Sequence, residues 1–330
     1  LLSILMIKLI IKTIIFFVFT LFIFEIYIRI FHLYDDVPRV HLDSNKLLVY
    51  KPNQNGSYNF GNRKEVDSKY LINSSGFNSV VEYDFSTNIP KIALIGDSYI
   101  EGFHQDVNNS IGRMLDRLGG YQCYEYGISG WNLNDYLNLI SSDSTQFNKF
   151  EYIFINLNPS DLQYSLHNYL NSDDSKLKID KQNSFVYKYI YYNIKLISSA
   201  NQMGIFNNFR KKVKIFSKNN QFELNNNEIM ELSNKNIQLK NFNEILNYFN
   251  ISIYNEKLIF LFNSNLKYEE SFLTVIKERY NYIDLSISFN KSEELPYFRF
   301  DKHWNSKGRL LVAKEILHKI NNLESKDILN

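Results

Sequence analysis

Ser98, His303 and Asp301 are the residue types that combine into a nucleophile, a base and the group that orients the base. Ser98 closes the segment Lys91-Ile-Ala-Leu-Ile-Gly-Asp-Ser98, where an apolar run ends on a glycine. Glycine permits a sharp turn there, and a following helix would aim backbone N–H groups at an anion. A serine so placed serves equally well as a helix N-cap. A second cluster, Gly127-Ile-Ser-Gly130, lets backbone N–H groups approach a ligand closely, or simply makes a turn. A third, Asn158-Pro-Ser-Asp161, offers polar side chains, or a turn with a capping Asp. The fourth is Phe300-Asp-Lys-His-Trp-Asn305. In an extended segment residues i and i+2 face the same way, so Asp301 reaches the ring of His303. A carboxylate on one ring nitrogen fixes the tautomer and leaves the other as a base. A surface ion pair is the plainer reading of the same two residues. His32, His41, His104, His167 and His318 lack a carboxylate so placed, although His104, six residues after Ser98, is a candidate for substrate contact.

These clusters need elements that bring them together. Ile92 to Ile95 is a continuous apolar run, as in a strand buried on both faces. The pattern predicts further strands over 121–126, 152–157, 258–262 and 282–285. Helices are expected over 111–118, 133–140, 269–279 and 308–320. Repeated alternation of this kind predicts an α/β fold, a doubly wound parallel sheet flanked by helices. In such sheets ligands sit outside the carboxyl ends of the strands, which is where the first three clusters fall. The fourth precedes the last helix. Residues 163–250 interrupt the alternation with two helix-like portions, 185–216 and 226–249. They are expected to form a helical insertion, either covering substrate or elaborating the surface. Residues 32–90 read as a polar, turn-rich lead-in with short strands, and 91–330 as the main domain.

The N-terminus has a different solvent in mind. From Leu9 to Ile30 the chain is apolar except for Lys12, Glu25 and Arg29 and a few small polar residues. As a helix this stretch spans a bilayer core of about 30 Å. Glu25 and Arg29 are four apart and can pair. Lys8 and Lys12 precede the most apolar part, and Asp35 and Asp36 follow it. Residues 1–31 are therefore expected to be a single-pass anchor with a cytoplasmic N-terminus, the rest being periplasmic or extracellular. A start at Met6 would leave the span intact. No small-x-small site follows for a signal peptidase.

The 37 basic and 35 acidic residues give a net charge of +2 without a dense basic run, which argues against nucleic acid as a partner. The single cysteine, Cys123, excludes an intrachain disulfide and lies in an apolar run, as a buried strand residue would. Gly-x-Ser-x-Gly, His-Glu-x-x-His, phosphate-loop and Cys-x-x-Cys signatures are absent, and no metal or organic cofactor is implied.

Taken together and in order, the four clusters resemble the blocks of the SGNH, or GDSL-type, hydrolases, over roughly residues 90–320. The resemblance implies that Ser98 is the nucleophile, Asp301 the orienting acid and His303 the general base. It implies an oxyanion hole from the backbone N–H groups of Ser98 and Gly130 and a side chain of the third block. That block departs from the family's Gly-x-Asn-Asp. Without gaps, Asn158 falls on the Gly, Ser160 on the Asn and Asp161 on the Asp, so Ser160 takes the donor's place. A two-residue shift would make Asn158 the donor instead. Losing one such donor costs about 2.7–4 kcal/mol. The Asp-x-His-Trp spacing is similar to the variant in alginate O-acetyltransferase-like members.

The resemblance implies an esterase acting on an acylated glycan or a small ester, in particular O-acetyl groups of a cell-surface polysaccharide. The same residues would serve an O-acyltransferase to a glycan, with a separate multi-spanning partner supplying the acyl donor. A non-catalytic glycan-binding or assembly protein of the same fold is the third expectation, motivated by the altered third block.

Overall fold

The computed structural model describes residues 2–61, 64–205 and 236–327. They fall in two compact units, one within Leu1–Val37, Gly56–Asp67 and Asp180–Glu223, the other within Pro38–Asn55, Ser68–Ile179 and Leu224–Asn330.

In the first unit, α1 (Leu2–Ile30) is one uninterrupted helix. Its stretch Ile4–Ile30, 27 residues, is long and apolar enough to cross a membrane. Thr13 and Thr20 donate their hydroxyls to the carbonyls of Leu9 and Phe16, so neither leaves a polar group open on the apolar surface.

Four short strands follow: β1 (Val40–Leu42), β2 (Leu48–Tyr50), β3 (Asn55–Phe60) and β4 (Val66–Leu71). β1 and β2 pair antiparallel, Val40 opposite Tyr50. Next come β5 (Lys91–Gly96), the single turn α2 (Ser98–Glu101), α3 (Ile111–Gly119), β6 (Gln122–Gly127), α4 (Leu133–Ser142), α5 (Ser144–Phe147) and β7 (Tyr152–Asn156). Between β7 and the next strand lie α6 (Leu166–Asn171), α7 (Asp174–Asn183), α8 (Lys195–Gln202) and α9 (Ile237–Phe249). β8 (Leu258–Phe262), α10 (Glu270–Arg279), β9 (Asn281–Asp284), α11 (Ser286–Asn290) and α12 (Ser306–Asp327) end the described elements.

Strands β5 to β9 form one parallel sheet in the order β6-β5-β7-β8-β9. The doubly wound sheet expected from the alternating pattern is the observed fold. Successive residues of β5 serve opposite faces, as the period of two requires. Ile92 and Leu94 join Leu115 of α3 and Val312, Ala313 and Ile316 of α12 in one core. On the other face Phe242 of α9 lies 5.5 Å from Phe260 of β8 and 5.2 Å from Phe272 of α10, ring centre to ring centre. Phe242 and Ile245 are fully buried. Thus α9 is the crossover helix that joins parallel strands β7 and β8, although the sequence pattern assigned it to an insertion. Of the two helix-like stretches expected there, α8 and α9 occupy parts. Residues 206–235 lie outside the described residues.

Candidate active site

The strand order reverses at β5, with β6 on one side and β7 on the other. The crevice outside the carboxyl ends of β5 and β7 is where such sheets bind ligands. Ser98 follows β5, Gly130 follows β6 and Asn158 follows β7, so three of the four clusters share one edge.

Asp97, not Ser98, caps α2: its Oδ1 accepts the Tyr99 N–H at 3.0 Å. The N-cap reading of Ser98 is thereby excluded, and its hydroxyl is free for other work. Ser98 Oγ lies 2.8 Å from His303 Nε2. Because α2 is one turn long, it adds little helix dipole, contrary to the expectation of a helix aimed at an anion. Glycines allow the tight packing around this turn. A Cβ at Gly127 would stand 2.1 Å from the backbone nitrogen of Glu101, so nothing larger fits between α2 and β6.

The Asp301–His303 contact forms by a different geometry from the extended one expected. Lys302 has φ +72°, so the segment is a tight turn. The turn places the Asp301 carboxylate under its own chain: Oδ1 accepts the His303 N–H at 3.0 Å, and Oδ2 lies 3.0 Å from His303 Nδ1. With Nδ1 donating to the carboxylate, Nε2 carries the lone pair toward Ser98. Tyr99 packs against the other side of this loop. Its ring stacks on His303 at 4.7 Å and meets buried Trp304 edge-on at 4.9 Å.

Sequence spacing gave His104 no carboxylate, yet the fold supplies one. His104 Nε2 lies 2.7 Å from Asp301 Oδ2, and its ring stacks on His303 with centres 3.9 Å apart. Gly102, at φ +74°, turns the chain after α2 and sends it back toward the site. That glycine was the available signal. Burial, followed by the charge of His303, pulls His104 down to about 4, so it is neutral at pH 7 and donates through Nε2–H. The substrate contact expected of His104 is replaced by contact with Asp301. His104, Asp301 and His303 hold candidate ligand atoms within 4.8 Å of one another, as a metal site would. Here His104 Nε2 and His303 Nδ1 both converge on Asp301 Oδ2, so the carboxylate itself occupies the point of convergence.

The oxyanion candidates occupy two turns. Gly130 has φ +85°, and its N–H donates to no other group among the described residues. Its turn is held by the buried carboxylate of Glu101, which accepts the Ser129 N–H at 2.7 Å and the Tyr50 hydroxyl at 2.5 Å. In the third block, Ser160 is exposed. Asn158 is buried, and its Nδ2 donates to Asp97 Oδ2 at 3.1 Å. Asp161 Oδ2 accepts the Asn158 N–H at 2.8 Å. Burial, then the charge of Asp97, pushes Asp161 well above the usual carboxylate range. The Asn158 amide has a second N–H beyond the one given to Asp97 and is buried at this edge, whereas Ser160 is exposed. That difference shifts the weight from Ser160 to Asn158.

Cys123 is a buried β6 residue whose thiol burial pushes up, which removes the reactivity of a thiolate. Behind the Tyr99 ring, at the carboxyl ends of β7 and β8, lies a cavity of about 540 Å³. Asn158, Asn263, Asn265 and Asn290 line it together with Phe289 and Tyr297.

A serine, an imidazole and a carboxylate in series at the switch point of a doubly wound sheet form the geometry of an activated nucleophile. No protein-family model matches the sequence, and no curated protein matches it. Among solved structures, the chain is similar to a member of the lipolytic G-D-S-L family from Veillonella parvula, at 12% identity and a TM-score of 0.32, over 69% of this chain and 96% of that one. It is similar to a catalytic mutant of an acetylxylan esterase from Geobacillus stearothermophilus, at 12% identity and a TM-score of 0.36, over 72% and 96%. An alpha/beta hydrolase from the metagenome of Lake Arreo gives 11% identity and a TM-score of 0.37, over 72% and 98%.

Proposed function

We propose that this chain is a membrane-anchored serine esterase of the SGNH type, removing acyl groups, in particular O-acetyl groups of a cell-surface polysaccharide. The observation that carries the reading is the unbroken series from Ser98 Oγ to His303 Nε2 at 2.8 Å and from His303 Nδ1 to Asp301 Oδ2 at 3.0 Å. In this mechanism His303 takes the Ser98 proton as Oγ attacks the ester carbonyl. The N–H groups of Ser98 and Gly130, with the Asn158 amide, hold the oxyanion; Ser160 is the alternative third donor. His303 then protonates the departing sugar oxygen, leaving an acyl-Ser98 ester. Water, deprotonated by the same imidazole, releases the acid and restores Ser98. A glycan substrate is supported by the amide-rich cavity beside Tyr99, whose asparagines and aromatic rings suit hydroxyls and sugar faces. Location outside the cytoplasm is supported by α1 and the charges that flank it.

The Asp301-Lys-His-Trp304 segment favours a second reading, transfer of the acyl group from Ser98 to a sugar hydroxyl in place of water.

The test uses the full chain in detergent with a fluorophosphonate probe. Labelling that disappears in Ser98→Ala supports both enzyme readings. Unlabelled wild type with native tryptophan fluorescence would eliminate them and leave a glycan-binding protein. With an acetyl ester donor and an oligosaccharide, acetylated sugar as the main product would replace the esterase reading by the transferase.

A further inference from the structure

Within the unit that contains α1, residues 184–205 form a segment that the parallel sheet does not need. It runs through a π-helical turn, Val186–Tyr191, into α8. No side chain of its own caps α8. Glu25 of α1 does so instead: its two carboxylate oxygens accept the N–H groups of Lys195 and Leu196 at 2.9 and 2.7 Å. These are first-turn donors that a helix cannot satisfy internally. Arg29 donates to the Asn193 carbonyl at 2.5 Å and to Glu25 at 2.8 Å. Further on, the Lys195 ammonium bonds Asp36 at 2.9 Å and lies over the Tyr34 ring, while Ser198 donates to the Asp35 carbonyl. The segment is therefore fastened to the last turn of α1 and the residues just after it. Whatever depth residues 25–36 take in a bilayer, residues 193–198 share it.

Among the exposed side chains of this segment six are apolar or aromatic. Phe185, Val186, Tyr189, Ile194, Met203 and Ile205 are 40–69% exposed. Lysines flank them, with Lys188 over the Tyr189 ring and Lys181 over the Tyr187 ring. Large exposed apolar patches mark interaction surfaces. Tyrosine rings with lysines that extend their amines outward are the composition of a membrane boundary.

We propose that residues 184–205 lie on the lipid surface at the carboxyl end of α1, with Phe185, Val186, Tyr189, Ile194, Met203 and Ile205 inserted at the headgroup–acyl boundary. The inference rests on the reading of α1 as a membrane span. It makes the attachment two-part: a crossing helix, and an interfacial segment that fixes how the unit stands on the bilayer. Lipid is favoured over a protein partner because the polar bonds to α1 already set this face at the level where the apolar helix ends.

The experiment places an environment-sensitive fluorophore at single cysteines in the full chain, reconstituted in phosphatidylcholine vesicles with a minor share of phosphatidylglycerol. Cys123 is buried and stays unlabelled. Phe17→Cys reports α1, Tyr189→Cys and Ile205→Cys report the segment, and the exposed Ile253→Cys is an aqueous control. Positions 17, 189 and 205 are expected to emit to the blue. Headgroup-level nitroxide lipid should quench 189 and 205 at least about twofold more than 253. Position 17 in lipid with 189 and 205 open to aqueous iodide like 253 would overturn the proposal and leave the anchor standing. Position 17 in water would remove the anchor, and the proposal with it. Blue emission at 189 and 205 without nitroxide quenching would overturn it in favour of a protein partner.

Discussion

Replacing His104 by Phe removes a titrating ring while keeping an aromatic surface against His303. At pH 7 the variant loses the donor 2.7 Å from Asp301 Oδ2. A hydrogen bond to a charged group contributes about 1.5–3 kcal/mol, so wild type is the more stable by that amount. The pH dependence carries the sharper information. In the unfolded chain His104 protonates near its ordinary value of 6.5, but burial and the neighbouring His303 hold it at about 4 in the native protein. Between those values the unfolded state binds a proton that the native state refuses. The group's contribution to stability is thus whole above pH 6.5 and is lost as pH falls toward 4. At about 1.4 kcal/mol per unit, wild type should lose about 2 kcal/mol between pH 7 and pH 5, a loss that His104→Phe escapes. The two stabilities should therefore converge by pH 5, before ordinary carboxylates titrate. Urea unfolding of the full chain in detergent, followed by the fluorescence of buried Trp131 and Trp304, measures the gap directly. Other buried acids titrate alike in both proteins and cancel in the difference. A gap that stays constant would refute the reasoning, and one that widens in acid would mean that His104 is protonated and ion-paired with Asp301.

Asp301→Asn should retain the fold and lower kcat on acyl esters by about 10⁴-fold, since the amide no longer enforces the His303 tautomer; steady-state hydrolysis of p-nitrophenyl acetate checks it. Asn158→Ala should lower kcat by about 10²–10³-fold with little change in KM, whereas Ser160→Ala should leave kcat unchanged. The opposite pattern would return the third oxyanion donor to Ser160. Gly127→Ala places a Cβ against backbone of α2 that cannot yield, so a loss of at least about 1–3 kcal/mol is expected, read as a lowered Tm.

Some of this protein is legible along the chain because the cause is local. The unbroken apolar run Ile92 to Ile95 signals a strand covered on both faces, and all four side chains are fully buried. That Ile4–Ile30 is long and apolar enough to cross a membrane follows from length and composition alone. Asp301 and His303 are neighbours in sequence, so a turn suffices to join them, even though its left-handed Lys302 was not anticipated.

Strand and helix order, the apolar N-terminal helix and the polar residues at strand ends can be read along the chain. These follow from periodicity and covalent neighbourhood. How those polar residues pair is set by the fold. Ser98 meets His303 across 205 positions of chain. His104 finds the Asp301 carboxylate because Gly102 turns it back. Asn158 is buried with its amide bonded to Asp97, while Ser160 is exposed. Glu25 caps a helix that begins at Lys195. Each is a contact between residues far apart in the chain, and sequence spacing holds no record of such contacts until the sheet brings its edges together.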